Sequence, residues 1–136
     1  MKKGLVCILA LALTLSFVAC SSNKLADNYS EEDVFARAKE VVDVINSLDY
    51  DAMNAQLRDD LQDQLTAEQL EEVWATQLEE AGAFEKYENT VTMSQKSKST
   101  GEDYAAAILT GKYENSTLTF TIVMDKDMEI VGMYIK

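Results

Sequence analysis

The sequence predicts an α+β domain behind a short leader, on three observations. A basic, apolar amino terminus ends in a cysteine, apolar residues recur at helical spacing as far as Gly82, and a period of two takes over beyond it. Three helices followed by four antiparallel strands is an order in which the helices must cover one face of a curved sheet.

The leader comes first. Lys2 and Lys3, the apolar run Leu5 to Val18 and the ending Phe17-Val18-Ala19-Cys20 read as a secretory signal over residues 1–19. A cysteine directly after a small residue resembles a bacterial lipobox. That resemblance implies lipidation of the Cys20 thiol, cleavage before Cys20, acylation of the new amino group, and a protein held on the outer side of the bacterial cell membrane. A spanning anchor would need about 20 apolar residues. This run is shorter, is interrupted by Thr14 and Ser16, and is followed by polar residues. Ser21 to Tyr29 lacks apolar periodicity, so residues 20–29 read as a lipidated cysteine and a flexible stalk, which for nine residues spans about 15–18 Å.

From residue 30 to 136 the chain reads as one domain. Ser30 with Asp33 three residues on suggests an N-terminal cap, and Val34, Ala38, Val41, Val42, Ile45 and Leu48 form the apolar face of a first helix. Met53, Leu57, Leu61 and Leu65, each four residues after the last, predict a second helix with a narrow stripe. Thr66-Ala67-Glu68-Gln69 is a capping box, and it opens a third helix with Leu70, Val73, Trp74, Leu78 and Ala81 on one face, stopped by Gly82. Strands are expected over 84–96, 104–113, 117–124 and 128–135, and connections this short force antiparallel neighbours. Gly132 suits a bend in the last strand.

Composition narrows the chemistry. Lys2 and Lys3 leave with the leader, taking the formal charge from −12 to −14, a balance that repels phosphate backbones and anionic headgroups. Nucleic acid is thereby excluded as a partner, and the membrane is reached through acyl chains. Cys7 leaves with the leader and Cys20 carries lipid, so no disulfide is expected.

The strings "VFARAKEVVDVINSLDYD", "LTAEQLEEVWATQLEEAGAF" and "FTIVMDKDMEIVGMYIK" resemble the uncharacterised bacterial domain family numbered 3887, of the nuclear-transport-factor-2-like superfamily. The resemblance implies a conical α+β fold whose curved sheet wraps the first helix, with an apolar cavity at the wide end. It implies no known activity.

Enzymes on this superfamily's fold typically use an Asp with His or Tyr, and this chain has no histidine, which removes Ser-His-Asp and Cys-His arrangements and imidazole metal sites. Asp51, Asp103, Tyr50, Tyr104, Tyr113 and Tyr134 remain as types, in no distinctive motif, so the expectation is a protein without enzymatic activity. Two acidic clusters, Asp125-Asp127-Glu129 and Asp59-Asp60-Asp63, read as solvated carboxylates rather than metal ligands, and no cofactor is expected. Trp74, Phe84, Tyr104, Leu118, Phe120, Ile122 and Met124 are the candidates for lining a cavity. Val123, Val131, Met133 and Ile135 are the candidates for a homodimer or partner contact. The expected role is a lipid-anchored extracytoplasmic binding or interaction domain. The alternative is a small-molecule-binding or weakly catalytic cone using Tyr and Asp in an apolar cavity, its ligand unnamed by the sequence.

Overall fold

A computed structural model describes residues 17–18, 25–26 and 28–136; Cys20 and most of the leader lie outside the described residues. Helix α1 (Glu31–Asn46) begins where Ser30, in extended backbone, accepts a hydrogen bond from the Asp33 amide at 3.4 Å. Three carboxylates fill its first turn, where the helix dipole favours negative charge. Its face of Val34, Ala38, Val41, Val42 and Ile45 is fully buried. It ends at a turn in which Leu48 takes a left-handed backbone (φ 61°) and stands exposed.

The four-residue spacing of Met53, Leu57, Leu61 and Leu65 predicts one continuous helix, and the structure divides it. Helix α2 (Tyr50–Gln56), capped by Asp49, stops where Leu57 turns extended and pairs in parallel with Ile130. The Arg58 amide donates to the Ile130 carbonyl at 2.8 Å, a partner from the sheet that replaces the next helical bond. A single 3-10 turn (Asp59–Leu61) follows, and Asn54 Nδ2 braces it by donating to the Gln62 and Leu65 carbonyls at 2.9 and 2.7 Å. Met53, Leu57 and Leu65 are buried nonetheless, each from a different piece of backbone.

Helix α3 (Ala67–Ala81) has the expected capping box, Thr66 with Gln69, and buries Leu70, Trp74, Leu78 and Ala81. Gly82 ends it at φ 84°, where a Cβ would lie 2.8 Å from Glu114 Oε1. The Asn115 amide and Nδ2 donate to the Ala81 and Glu80 carbonyls, tying the end of α3 to a sheet turn.

Four long strands form an open antiparallel meander after the helices: β2 (Phe84–Ser97), β3 (Asp103–Tyr113), β4 (Thr117–Met124) and β5 (Ile130–Ile135). A two-residue strand β1 (Phe17–Val18) pairs with Lys96 and Ser97 on the β2 edge. The last strand starts at Ile130 rather than 128 because Met128 adopts a left-handed backbone (φ 66°) in the turn after Asp125.

The sheet has two faces. Ala105, Ala107, Leu109, Tyr113, Leu118, Phe120, Ile122, Met124, Ile130 and Met133 face α1 and complete the main core. On the opposite face Tyr104, Ala106, Val123 and Val131 form a smaller buried cluster with Met93, Tyr134 and Leu61 against it. The sheet also has two ends. One holds the β2–β3 hairpin, the β4–β5 turn and the entry of the chain into α1, marked by the Glu31–Thr92 and Arg37–Met128 hydrogen bonds. The other holds the α1–α2 turn, the β3–β4 turn and the C-terminal end of α3.

Candidate functional site

The inner face is where a cavity was expected, so the exposure of its side chains is decisive. A side chain lining a chamber large enough for water would show surface to it. Phe120, Ile122 and Met124 are 0% exposed, Leu118 3% and Trp74 6%. All five belong to the main core and are brought together there. Phe84 packs against that core half-buried. Tyr104 does not join them: its odd-numbered neighbours Ala105 and Ala107 face inward, so the pleat turns Tyr104 to the other face.

The richest chemistry of the inner face lies at its α3 end, in a run of rings. Phe84 meets Tyr87 edge-on at 4.9 Å and Tyr113 at 5.3 Å, and Tyr113 meets Phe120 at 6.3 Å. Gly111 makes room, since a Cβ there would stand 3.0 Å from the Phe84 ring. The Tyr113 hydroxyl donates to Asn46 Oδ1 in a short hydrogen bond. Lys39 Nζ lies 5.2 Å from the Tyr87 ring centroid. Among the described residues the buried Tyr87 hydroxyl has no hydrogen-bond partner. Burial, then the nearby Asp43 carboxylate, pushes its ionisation up to about 12. A phenol held neutral in this way is a poor acid and a poor base at neutral pH.

At the hairpin end Arg58 holds two carboxylates. Its Nε and Nη2 donate to Asp60 at 2.7 and 3.1 Å, and Nη1 donates to Asp125 Oδ2 at 3.0 Å. The hydrogen bonds from Arg58 hold the Asp60 carboxyl below its ordinary range. Asp125 Oδ1 accepts from the amides of Asp127 and Glu129, both at 2.9 Å. Asp125, Asp127 and Glu129 do converge, their oxygens within 4.8 Å. Asp125 is buried rather than solvated, because both its oxygens are used to close the turn and anchor Arg58. Periodicity carries no signal for this: a buried aspartate at a turn reads like any surface carboxylate until Arg58 is brought against it.

The candidate interface residues divide between the faces. Val123 and Val131 lie in the outer cluster, Met133 in the main core and Ile135 against it. A bulge causes the split. Val123 pairs with Gly132 and Met124 with Ile130, so Val131 is an extra residue and the alternation shifts by one. The Tyr and Asp candidates are also dispersed. Tyr50 and Asp51 line an open depression of about 520 Å³ with Ser47, Leu48, Asp49, Ala67, Glu68 and Glu71, and burial, then Glu71 and Glu79, raises the Tyr50 pKa. Asp103 pairs with Lys96 at 2.8 Å at the opposite end, Tyr113 faces inward, and Tyr104 and Tyr134 face outward.

The class these features define is a small α+β domain, helices first, with its main core on the inner face of the sheet and a smaller apolar cluster on the outer face. Residues 38–133 match the family described as "Protein of unknown function (DUF3887)", and the chain belongs to that family. The NMR structure of a protein from Ruminococcus gnavus ATCC 29149 is similar, with a TM-score of 0.74 at 25% identity over 83% of this chain and 96% of that one. No curated protein matches the sequence.

Proposed function

We propose that this chain is a lipid-anchored extracytoplasmic interaction domain of the bacterial cell envelope, without enzymatic activity, on a cone-shaped fold of the nuclear-transport-factor-2-like kind. The observation that carries the reading is the contrast between the two sheet faces. On the inner face Trp74, Leu118, Phe120, Ile122 and Met124 are buried, whereas the outer face keeps Val91, Met93, Ile108 and Tyr134 partly exposed around its buried cluster. Apolar and β-branched residues grouped on one sheet face are suited to burial against another protein. The partner is a second copy of the chain or another envelope protein. Phe17-Val18-Ala19-Cys20 supports the anchor. Cleavage before Cys20 would remove β1 and leave the four long strands with every ladder between them.

A photo-crosslinking residue placed at Ile108 in cells tests the role. A membrane-bound cross-linked product is expected from Ile108 and from Val91, and a much weaker one from the exposed Glu85 on the β2 edge. Equal products from all three positions, or none from Ile108, would contradict it.

A further inference from the structure

The stalk expected over residues 20–29 is held at its far end. Leu25 and Tyr29 are half-buried against the main core. The Tyr29 amide donates to the Ala26 carbonyl at 3.0 Å, closing a turn. Its hydroxyl donates to the Asp103 carbonyl at 2.7 Å, bridging 74 residues of sequence. Burial, then Asp125 and Asp103, raises the Tyr29 pKa, so the donor keeps its proton. The Asp103 contact places Tyr29 at the hairpin end of the sheet, at the start of β3, and the Ala26–Tyr29 turn keeps Leu25 close to it.

Five peptide steps separate Cys20 from Leu25, a reach of about 17 Å at full extension. From Asp103 to Tyr113, β3 runs ten residues further, about 33 Å. The tether is therefore shorter than the domain. A domain gripped at one end by a leash of that length cannot present its other end to the surface it is tied to. Charge does not set this orientation. Lys96 and Lys126 at this end are paired with Asp103 and Asp127, and the exposed Lys98 is outweighed by Glu102 and Glu129, so it is the tether and not attraction to headgroups that holds this end near the bilayer.

We infer that the domain stands on the membrane with its β2–β3 and β4–β5 turns toward the bilayer, and that the α1–α2 turn, the C-terminal end of α3 and the β3–β4 turn face away from it. The orientation rests on the proposed lipidation of Cys20. The exposed Leu48 and the acidic depression beside it then lie at the membrane-distal end, and the outer sheet face stands roughly upright, open to a neighbour anchored in the same membrane.

The mature lipoprotein would have no other thiol, so one introduced cysteine gives one label. The full chain, expressed with its own leader and extracted from membranes, carries a fluorescent donor at Thr100→Cys or Lys126→Cys at the hairpin end, or at Ser116→Cys or Glu68→Cys at the other; all four positions are exposed. Each is returned to phosphatidylcholine vesicles containing an acceptor lipid. Energy transfer from Thr100 and Lys126 is expected to exceed that from Ser116 and Glu68 by about twofold or more, given the ~33 Å length of β3. A combined Leu25→Ser, Tyr29→Phe variant frees the stalk and is expected to shrink the contrast. Equal transfer from all four sites, the reverse order, or a contrast unaffected by the stalk variant overturns the orientation. The mass of the extracted protein separates the two claims: an unlipidated Cys20 overturns anchor and orientation together, whereas a lipidated Cys20 with equal transfer overturns the orientation alone.

Discussion

Replacing Trp74 by alanine distinguishes a filled inner face from a hollow one. The indole is 6% exposed and sits with Leu70, Leu78 and the β3–β5 residues in the main core. A tryptophan buries up to about 250 Å², which at about 25 cal/mol per Å² gives an upper bound near 6 kcal/mol. Aromatic-to-alanine changes in packed cores cost about 3–5 kcal/mol, because the cavity left behind relaxes only in part. The expected loss is therefore about 3–5 kcal/mol, a large share of the roughly 5–15 kcal/mol available to a small domain. Urea unfolding followed by far-ultraviolet circular dichroism suits the measurement, since the substitution removes the chain's one tryptophan. Should the alanine variant fail to fold, Trp74→Phe gives the same information with an expected loss of about 1–2 kcal/mol. A loss below about 1.5 kcal/mol for Trp74→Ala would refute the packing argument, because it would mean that one side of the ring already faced space.

Other outcomes follow from the same geometry. Tyr87→Phe removes a buried hydroxyl that has no partner, so it is expected to leave stability unchanged or raise it by up to about 1 kcal/mol in thermal unfolding; a loss of 2 kcal/mol or more would reveal a hidden partner. The Tyr87 phenol ionises near 12 when folded and near 10 when unfolded, so between those values the unfolded chain binds fewer protons and stability falls as pH rises. Phenolate absorbance should therefore rise together with unfolding in that window, and Tyr87→Phe should lessen the loss. Asp60 runs the other way: its folded pKa lies below its unfolded one, so its contribution is present above about pH 4 and fades as pH falls below it. An acid titration of Arg58→Gln should accordingly lack part of the wild-type decline. Gly82→Ala forces a Cβ against Glu114 at φ 84° and is expected to cost about 1–3 kcal/mol by urea unfolding.

Much of this fold was legible in the sequence because local chemistry and tertiary packing agree. Ser30, the Thr66–Gln69 box and Gly82 set helix ends through their own hydrogen bonds and backbone angles, and the alternation from Leu118 to Met124 sorts the two sheet faces without help from elsewhere. The legibility fails where a distant strand decides. The stripe from Met53 to Leu65 is as regular as that of a helix, yet Ile130 captures the backbone of Leu57 and Arg58 and breaks it. In the last strand one bulge residue, Val131, reverses the faces of everything after it, so residues grouped by a strict period of two separate in space. The pinned stalk was equally invisible, because Leu25 and Tyr29 are too few to make a pattern and their partner Asp103 lies 74 residues from Tyr29. Asp125 read as solvated because no local signal foretells Arg58.

The intact mass of the protein extracted from cell membranes tests the central claim most directly. The expected chain begins at Cys20, with residues 1–19 absent and a diacylglyceryl group on the thiol. A membrane-extracted protein that keeps its leader, or that begins elsewhere with Cys20 unmodified, would contradict it.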